Sequence, residues 1–195
     1  MKFTILFAAV LGFSLVAMSA SDAYGAIYVK IPDIPGDVTA QGYDDKKWFD
    51  ADSFSFGVER ELTESGEKGG TADINIGEGE LQEVSISKSL DSATSKLFLG
   101  SVTGNSHGNV QIDFVQTKQF GEQQVFLQYC LGNTFVKSWS TSGDADDRPT
   151  EEVSFYYNKI AFQYTSTDGQ VIKTEPPVGW DNVKNIAHNQ WDCGN

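Results

Sequence analysis

Apolar and polar positions alternate along most of this chain, which is the period of half-buried β-strands. Ile27, Val29 and Ile31 alternate with Tyr28 and Lys30, a strand stopped by Pro32 and Pro35-Gly36. Phe54, Phe56 and Val58 alternate with Ser53, Ser55 and Gly57. Val84 and Ile86 mark a short strand, and Val110, Ile112 and Phe114 another. Val125, Leu127, Tyr129 and Leu131 share one face, with Phe126, Gln128 and Cys130 on the other, and Phe135, Lys137 and Trp139 extend this region. Val153, Phe155 and Tyr157 are apolar at odd positions, whereas Ile160, Phe162 and Tyr164 are apolar at even ones. That change of parity near Asn158-Lys159 is the signature of one extra residue in a bulge. Asp168-Gly169 reads as a hairpin turn into Val171 and Ile172.

One segment breaks the period. Asp91-Ser92-Ala93 can start a helix, Ala93, Leu97, Phe98 and Val102 fall at helical spacing, and Gly100 and Gly104 can end it. The pattern therefore predicts about eight strands and one short helix, a mainly β chain folded as a compact barrel or sandwich. Phe56, Phe114, Phe155 and Phe162 sit in the apolar registers and are the expected core. The polar stretches 64–70, 143–149 and 174–179 are the expected loops.

The first residues stand apart. Lys2 precedes an apolar run from Phe3 to Val16, and small residues follow at Ala17, Ser19, Ala20, Ala23, Gly25 and Ala26. The run has no amphipathic face and is too short to span a membrane, so it reads as a secretory signal peptide rather than a buried helix. The expected cut follows Gly25, with Ala23 at the −3 position; a cut after Ser19 is the second choice. This divides the chain into a leader, 1–25, and a single domain, 26–195, expected to be secreted to an extracellular or periplasmic space. That space permits a disulfide, for which Cys130 and Cys193 are the candidates. A half-buried Cys130 with a free thiol in the tail is the open alternative.

Composition narrows the partners. The chain has 195 residues, with 14 Lys and Arg against 27 Asp and Glu, a net charge of −13. Such a surface suits neither a nucleic-acid backbone nor an anionic membrane face, so no nucleic acid and no membrane insertion after cleavage are expected. Cleavage removes Lys2 and Asp22 together and leaves the balance unchanged.

Little in the sequence looks catalytic. His107, His188 and the two cysteines are scattered without zinc spacing. Gly104-Asn105-Ser106-His107-Gly108 carries the letters of a hydrolase nucleophile elbow, but that motif needs a strand before its serine and a helix after it, the reverse of the order here. Asp144, Asp146 and Asp147 crowd one loop without EF-hand spacing, a solvated acidic loop rather than a calcium site. No catalytic residue, metal or cofactor is therefore assigned.

Five segments in order resemble the haemolysin-coregulated protein (Hcp) family: Ile27 to Gly36; Trp48 to Glu59 with Phe54-Ser55-Phe56-Gly57; Ser85 to Asp91 followed by Lys96-Leu97-Phe98; Pro149 to Tyr157; and Gly179-Trp180-Asp181 with Asn185. The resemblance spans about Ala26 to Asn185. It implies a compact β-barrel of two sheets with one short α-helix, a structural protein without catalytic residues, and rings of six copies that stack into the inner tube of a type VI secretion system. The partners it implies are further copies of the chain, components of the secretion machine, and effectors held in the ring lumen.

Two features depart from the family pattern. Tube subunits are made in the cytoplasm without a leader. The loop through which family members stack is represented by Gly66, Glu67, Lys68, Gly69 and Gly70, short and charged, so stacking is expected to be weaker than ring closure. A secreted monomeric β-barrel binding module that has lost the ring is the alternative function, and a secreted esterase using Ser106 a more distant one.

Overall fold

In the computed structural model the described residues are 25–45, 47–64, 74–118, 122–167 and 171–194. Residues 1–24 of the expected leader (1–25), the 66–70 loop and the Asp168-Gly169 turn lie outside them, although the strands flanking that turn pair from Thr167 to Ile172.

The described residues form fourteen strands and one helix. An eight-stranded antiparallel sheet holds β14 (Ile186–Ala187), β13 (Val178–Asp181), β11 (Lys159–Thr167), β8 (Gln123–Gly132), β7 (Val110–Thr117), β1 (Gly25–Lys30) and β2 (Trp48–Ala51) in that order, with β12 (Ile172–Thr174) beside β11. A four-stranded sheet runs β3 (Ser53–Ser55), β6 (Val84–Ser89), β10 (Thr150–Tyr156), β9 (Phe135–Ser142). The remaining pair, β4 (Val58–Glu64) and β5 (Ile74–Leu81), forms a two-stranded arm of its own. The chain is mainly β as expected, but no ladder joins the two large sheets into a closed barrel.

The core lies between them. Val29, Phe49, Ile112, Leu131 and Ile160 of the large sheet meet Val84, Ile86, Val136, Val153 and Phe155 of the smaller one, with Leu97 closing one side. Helix α1 (Thr94–Thr103) supplies Leu97 and ends at Gly104, whose φ of 67° is the left-handed stop that glycine adopts without strain. The helical face expected from the spacing is only half used: Ala93 and Leu97 are buried, but Phe98 and Val102 face outward.

Two readings of the strand pattern need correction. The parity change at Asn158-Lys159 is not a bulge. β10 belongs to the four-stranded sheet and β11 to the eight-stranded one, so the chain crosses between layers there and its inward face changes with it. Phe162 is not core. It is 40% exposed, on a part of β11 that extends past the covering sheet, while Phe155 is fully buried and Phe56 and Phe114 are half-buried against the core. The 174–179 loop is likewise shorter than expected, since β12 and β13 take its two ends.

The back of the eight-stranded sheet carries a second cluster. Tyr28, Trp48 and Val115 are covered by Val38 and Tyr43 of the segment between β1 and β2. The Tyr43 hydroxyl donates to Asp113 Oδ2 at 3.0 Å, and the amides of Gln111 and Gln128 donate to Oδ1, each at 2.9 Å. Cys130 of β8 and Cys193 of the tail are joined there as a disulfide, S–S 2.07 Å.

Candidate functional site

The surface offers more than the interior. The arm leaves the smaller sheet after β3 and returns into β6, pairing Val58 with Leu81, Glu59 with Glu80 and Leu62 with Ile76. Its side chains are mostly in solvent: Val58, Leu62 and Ile76 are each at least 60% exposed. One side of the arm overhangs β11 and β13 and encloses a cleft of about 540 Å³ lined by Phe56, Ile76, Leu81, Phe162, Val178 and Trp180, with Arg60 and Glu78 at its rim. Asn185 donates to Glu78 Oε2 at 3.3 Å and ties the arm to the β13–β14 corner. The five loop residues singled out from sequence lie between the ends of β4 and β5.

Gly179-Trp180-Asp181 lies in β13, whose Gly179 and Trp180 line this cleft. Gly179 is required by closeness: a Cβ there would stand 2.2 Å from the Ile160 carbonyl oxygen and 2.6 Å from that of His188. Trp180 is half-buried against the core. Asp181 Oδ1 accepts the backbone N–H groups of Lys184 at 2.9 Å and Val183 at 3.0 Å, and these bonds hold its carboxyl below the usual carboxylate range against the effect of burial. These motif residues thus shape a corner of the sheet.

The other sequence candidates are not brought together. Ser106 Oγ donates to Asn133 Oδ1 at 2.8 Å, and α1 precedes it in the chain. His107 is buried beside α1, and neither ring nitrogen has a hydrogen-bond partner among the described residues. His188 instead bonds Asp192 at 2.8 Å in the tail. Asp144 and Asp147 accept the backbone N–H groups of Asp146 and Arg148 in local turns. Among the described residues no cluster of three His, Cys, Asp or Glu side chains could hold a metal ion.

Sequence reasoning missed the arm and a buried polar network at the start of α1. Lys88 Nζ lies 2.7 Å from Glu151 Oε1 and 2.6 Å from Asp91 Oδ1. Trp139 Nε1 donates to Glu151 Oε2 at 2.6 Å and Thr94 Oγ1 to Oε1 at 3.0 Å. Every member is satisfied, as a buried network must be. The available signal was Lys88 standing on the apolar parity of Val84 and Ile86.

Two packed sheets, one short helix and a projecting two-stranded arm define the architecture of the described residues. Residues 28–164 match the family described as "Type VI secretion system effector, Hcp", and the chain belongs to the Hcp family. Its fold is similar to a structure described as a type six secretion system protein, at 24% identity and TM-score 0.73, covering 85% of this chain and all of that one. It is also similar to Hcp1 from Salmonella typhimurium, at 18% identity and TM-score 0.62, covering 84% and 99% of the two chains. A type VI secretion system effector from Yersinia pestis matches at 17% identity and TM-score 0.53, covering 80% and 98%. No curated protein matches the chain in sequence.

Proposed function

We propose that this chain is a secreted structural protein of the Hcp type that acts by assembling with itself into hexameric rings, with stacking as a type VI secretion tube its further step. Family membership over residues 28–164 carries the reading. It is supported by the exposed apolar arm and cleft, which a solitary soluble domain has little reason to keep. In this role the protein has no catalytic residue and needs no cofactor. Its partners are further copies of itself, and through the ring the secretion machine and the effectors its lumen encloses.

The leader at 1–25 and the Cys130–Cys193 bridge support export through an oxidising compartment to an extracellular or periplasmic location. Export apart from a cytoplasmic sheath favours a second reading, a secreted monomeric binding module on the same fold. The mass of the mature protein by light scattering separates the two: a hexamer supports the first, and a monomer at every concentration the second. N-terminal sequencing of secreted material tests the leader, with Ala26 the expected first residue.

A further inference from the structure

We propose that α1 of one copy seats in the cleft between the arm and β13 of the next, a heterologous contact between two different surfaces of the same chain. The proposal rests on the self-assembly reading and names the surfaces that would carry it. α1 presents a ridge of Phe98, Leu99 and Val102, 49%, 56% and 68% exposed, in which Phe98 leans edge-on against Trp139 of β9 and Leu99 and Val102 stand further out. The cleft is apolar and open at Ile76 and Val178. Within one chain α1 packs on β9 rather than on the arm: the arm enters β6 at Val84, and the helix segment leaves after Ser89 at the strand's other end. A contact between unlike surfaces at two ends of a subunit repeats head to tail, and closes into a ring when the rotation allows it.

Charge selects the partner. In a chain of net −13, the stretch from Ser92 to Ile112 contains no Asp or Glu, and α1 carries Lys96 as its only charged side chain. Lys96 Nζ rests on the Asp33 carbonyl oxygen, not on a carboxylate. Glu151, Asp91 and Asp37, the carboxylates bonded at the helix start, are already engaged, the first two with Lys88 and the third with the Ser92 N–H. The arm has the opposite character: Glu59, Glu61, Glu78 and Glu80 stand against Arg60. Two copies of so acidic a protein repel over most of their surface, and α1 is the segment that can approach an arm of net negative charge without that penalty.

The test uses two double variants of the mature protein, L99E/V102E on the ridge and I76E/V178E on the cleft. All four side chains are more than half exposed, so each variant is expected to keep the parental denaturation midpoint. Each alone should fall from the assembled mass to that of a monomer in light scattering. An equimolar mixture retains one intact ridge and one intact cleft, and should give a 1:1 dimer that grows no further. K96E, which alters charge without touching the ridge, should reduce the assembled fraction. Variants that keep the parental mass, or a mixture of folded variants that stays monomeric, overturn the proposal while leaving self-assembly intact. A parental protein that is monomeric throughout removes the self-assembly reading and this one with it.

Discussion

Lys88 of β6 and Glu151 of β10 stand directly opposite each other in the smaller sheet and meet inside the protein, Nζ 2.7 Å from Oε1, with both side chains sealed from solvent. The pair anchors the start of α1, because Asp91 and Thr94 bond to the same two groups. Removing one partner leaves an uncompensated charge. Glu151→Ala should therefore cost about 3–5 kcal/mol in chemical denaturation. The double replacement Lys88→Met with Glu151→Leu should cost far less than the single one, since it removes both charges together. Equal losses in the two proteins would contradict this account.

Burial separates two phenylalanines that the sequence pattern treats alike. Phe155→Ala opens a cavity at a fully buried site and should cost roughly 3–5 kcal/mol. Phe162→Ala removes a side chain that is 40% exposed at the cleft wall, and should cost less than about 1.5 kcal/mol. Urea unfolding of both variants is the measurement, and a loss at Phe162 matching that at Phe155 would return it to the core.

These two residues show where the sequence is legible. Alternation finds a strand when one face is covered, and β1, β7, β8 and β10 are found for that reason. It does not register where coverage stops, so Phe162 shares its parity with buried Ile160 and still faces solvent. The arm hides for the complementary reason: neither of its faces is sealed, and Arg60 interrupts the apolar parity of Val58 and Leu62. The cleft could not be read at all, because Ile76 and Val178 come together only through the fold. The Gly179-Trp180-Asp181 motif was legible as letters, whereas its work in shaping a corner depends on carbonyls of β11 and the tail.

The disulfide ties the tail to a central strand over a sequence separation of 63 residues. In the chain-entropy account, closing a loop of that size stabilises the fold by about 4 kcal/mol. Cys193→Ser should lower the denaturation midpoint correspondingly. Dithiothreitol should then lower the parental midpoint and leave that of the variant unchanged. A parent indifferent to reductant would mean that the bridge contributes nothing.

His107 gives stability a pH dependence of definite sign. Burial pushes its imidazole below the ordinary value of 6.5, and the Asp33 carboxylate, 3.9 Å from Nδ1, opposes this only in part. The folded protein therefore binds the proton less readily than the unfolded chain. The stability this residue contributes is complete above the unfolded pKa and is lost as pH falls through the folded one. Unfolding free energy should decline as pH falls below about 6.5, and His107→Gln should flatten that decline. An unaltered slope in the variant would assign the effect to other groups.

The last expectation concerns salt. Every copy that joins an assembly brings a further −13, and burying apolar ridge and cleft must offset that repulsion. At about 0.15 M salt the screening length is roughly 8 Å, so charges on neighbouring subunits scarcely interact beyond their contact. At about 0.01 M it reaches roughly 30 Å, and whole subunits repel. Low salt also strengthens the attraction of Lys96 for the arm's glutamates, but one cation meets an excess of 27 acidic over 14 basic residues on each copy. Repulsion wins, and the assembly should weaken as salt is removed. Mass by light scattering across a salt series at fixed protein concentration reads this directly. An assembly that tightens at low salt would show that local ion pairing, rather than apolar burial, holds the subunits together.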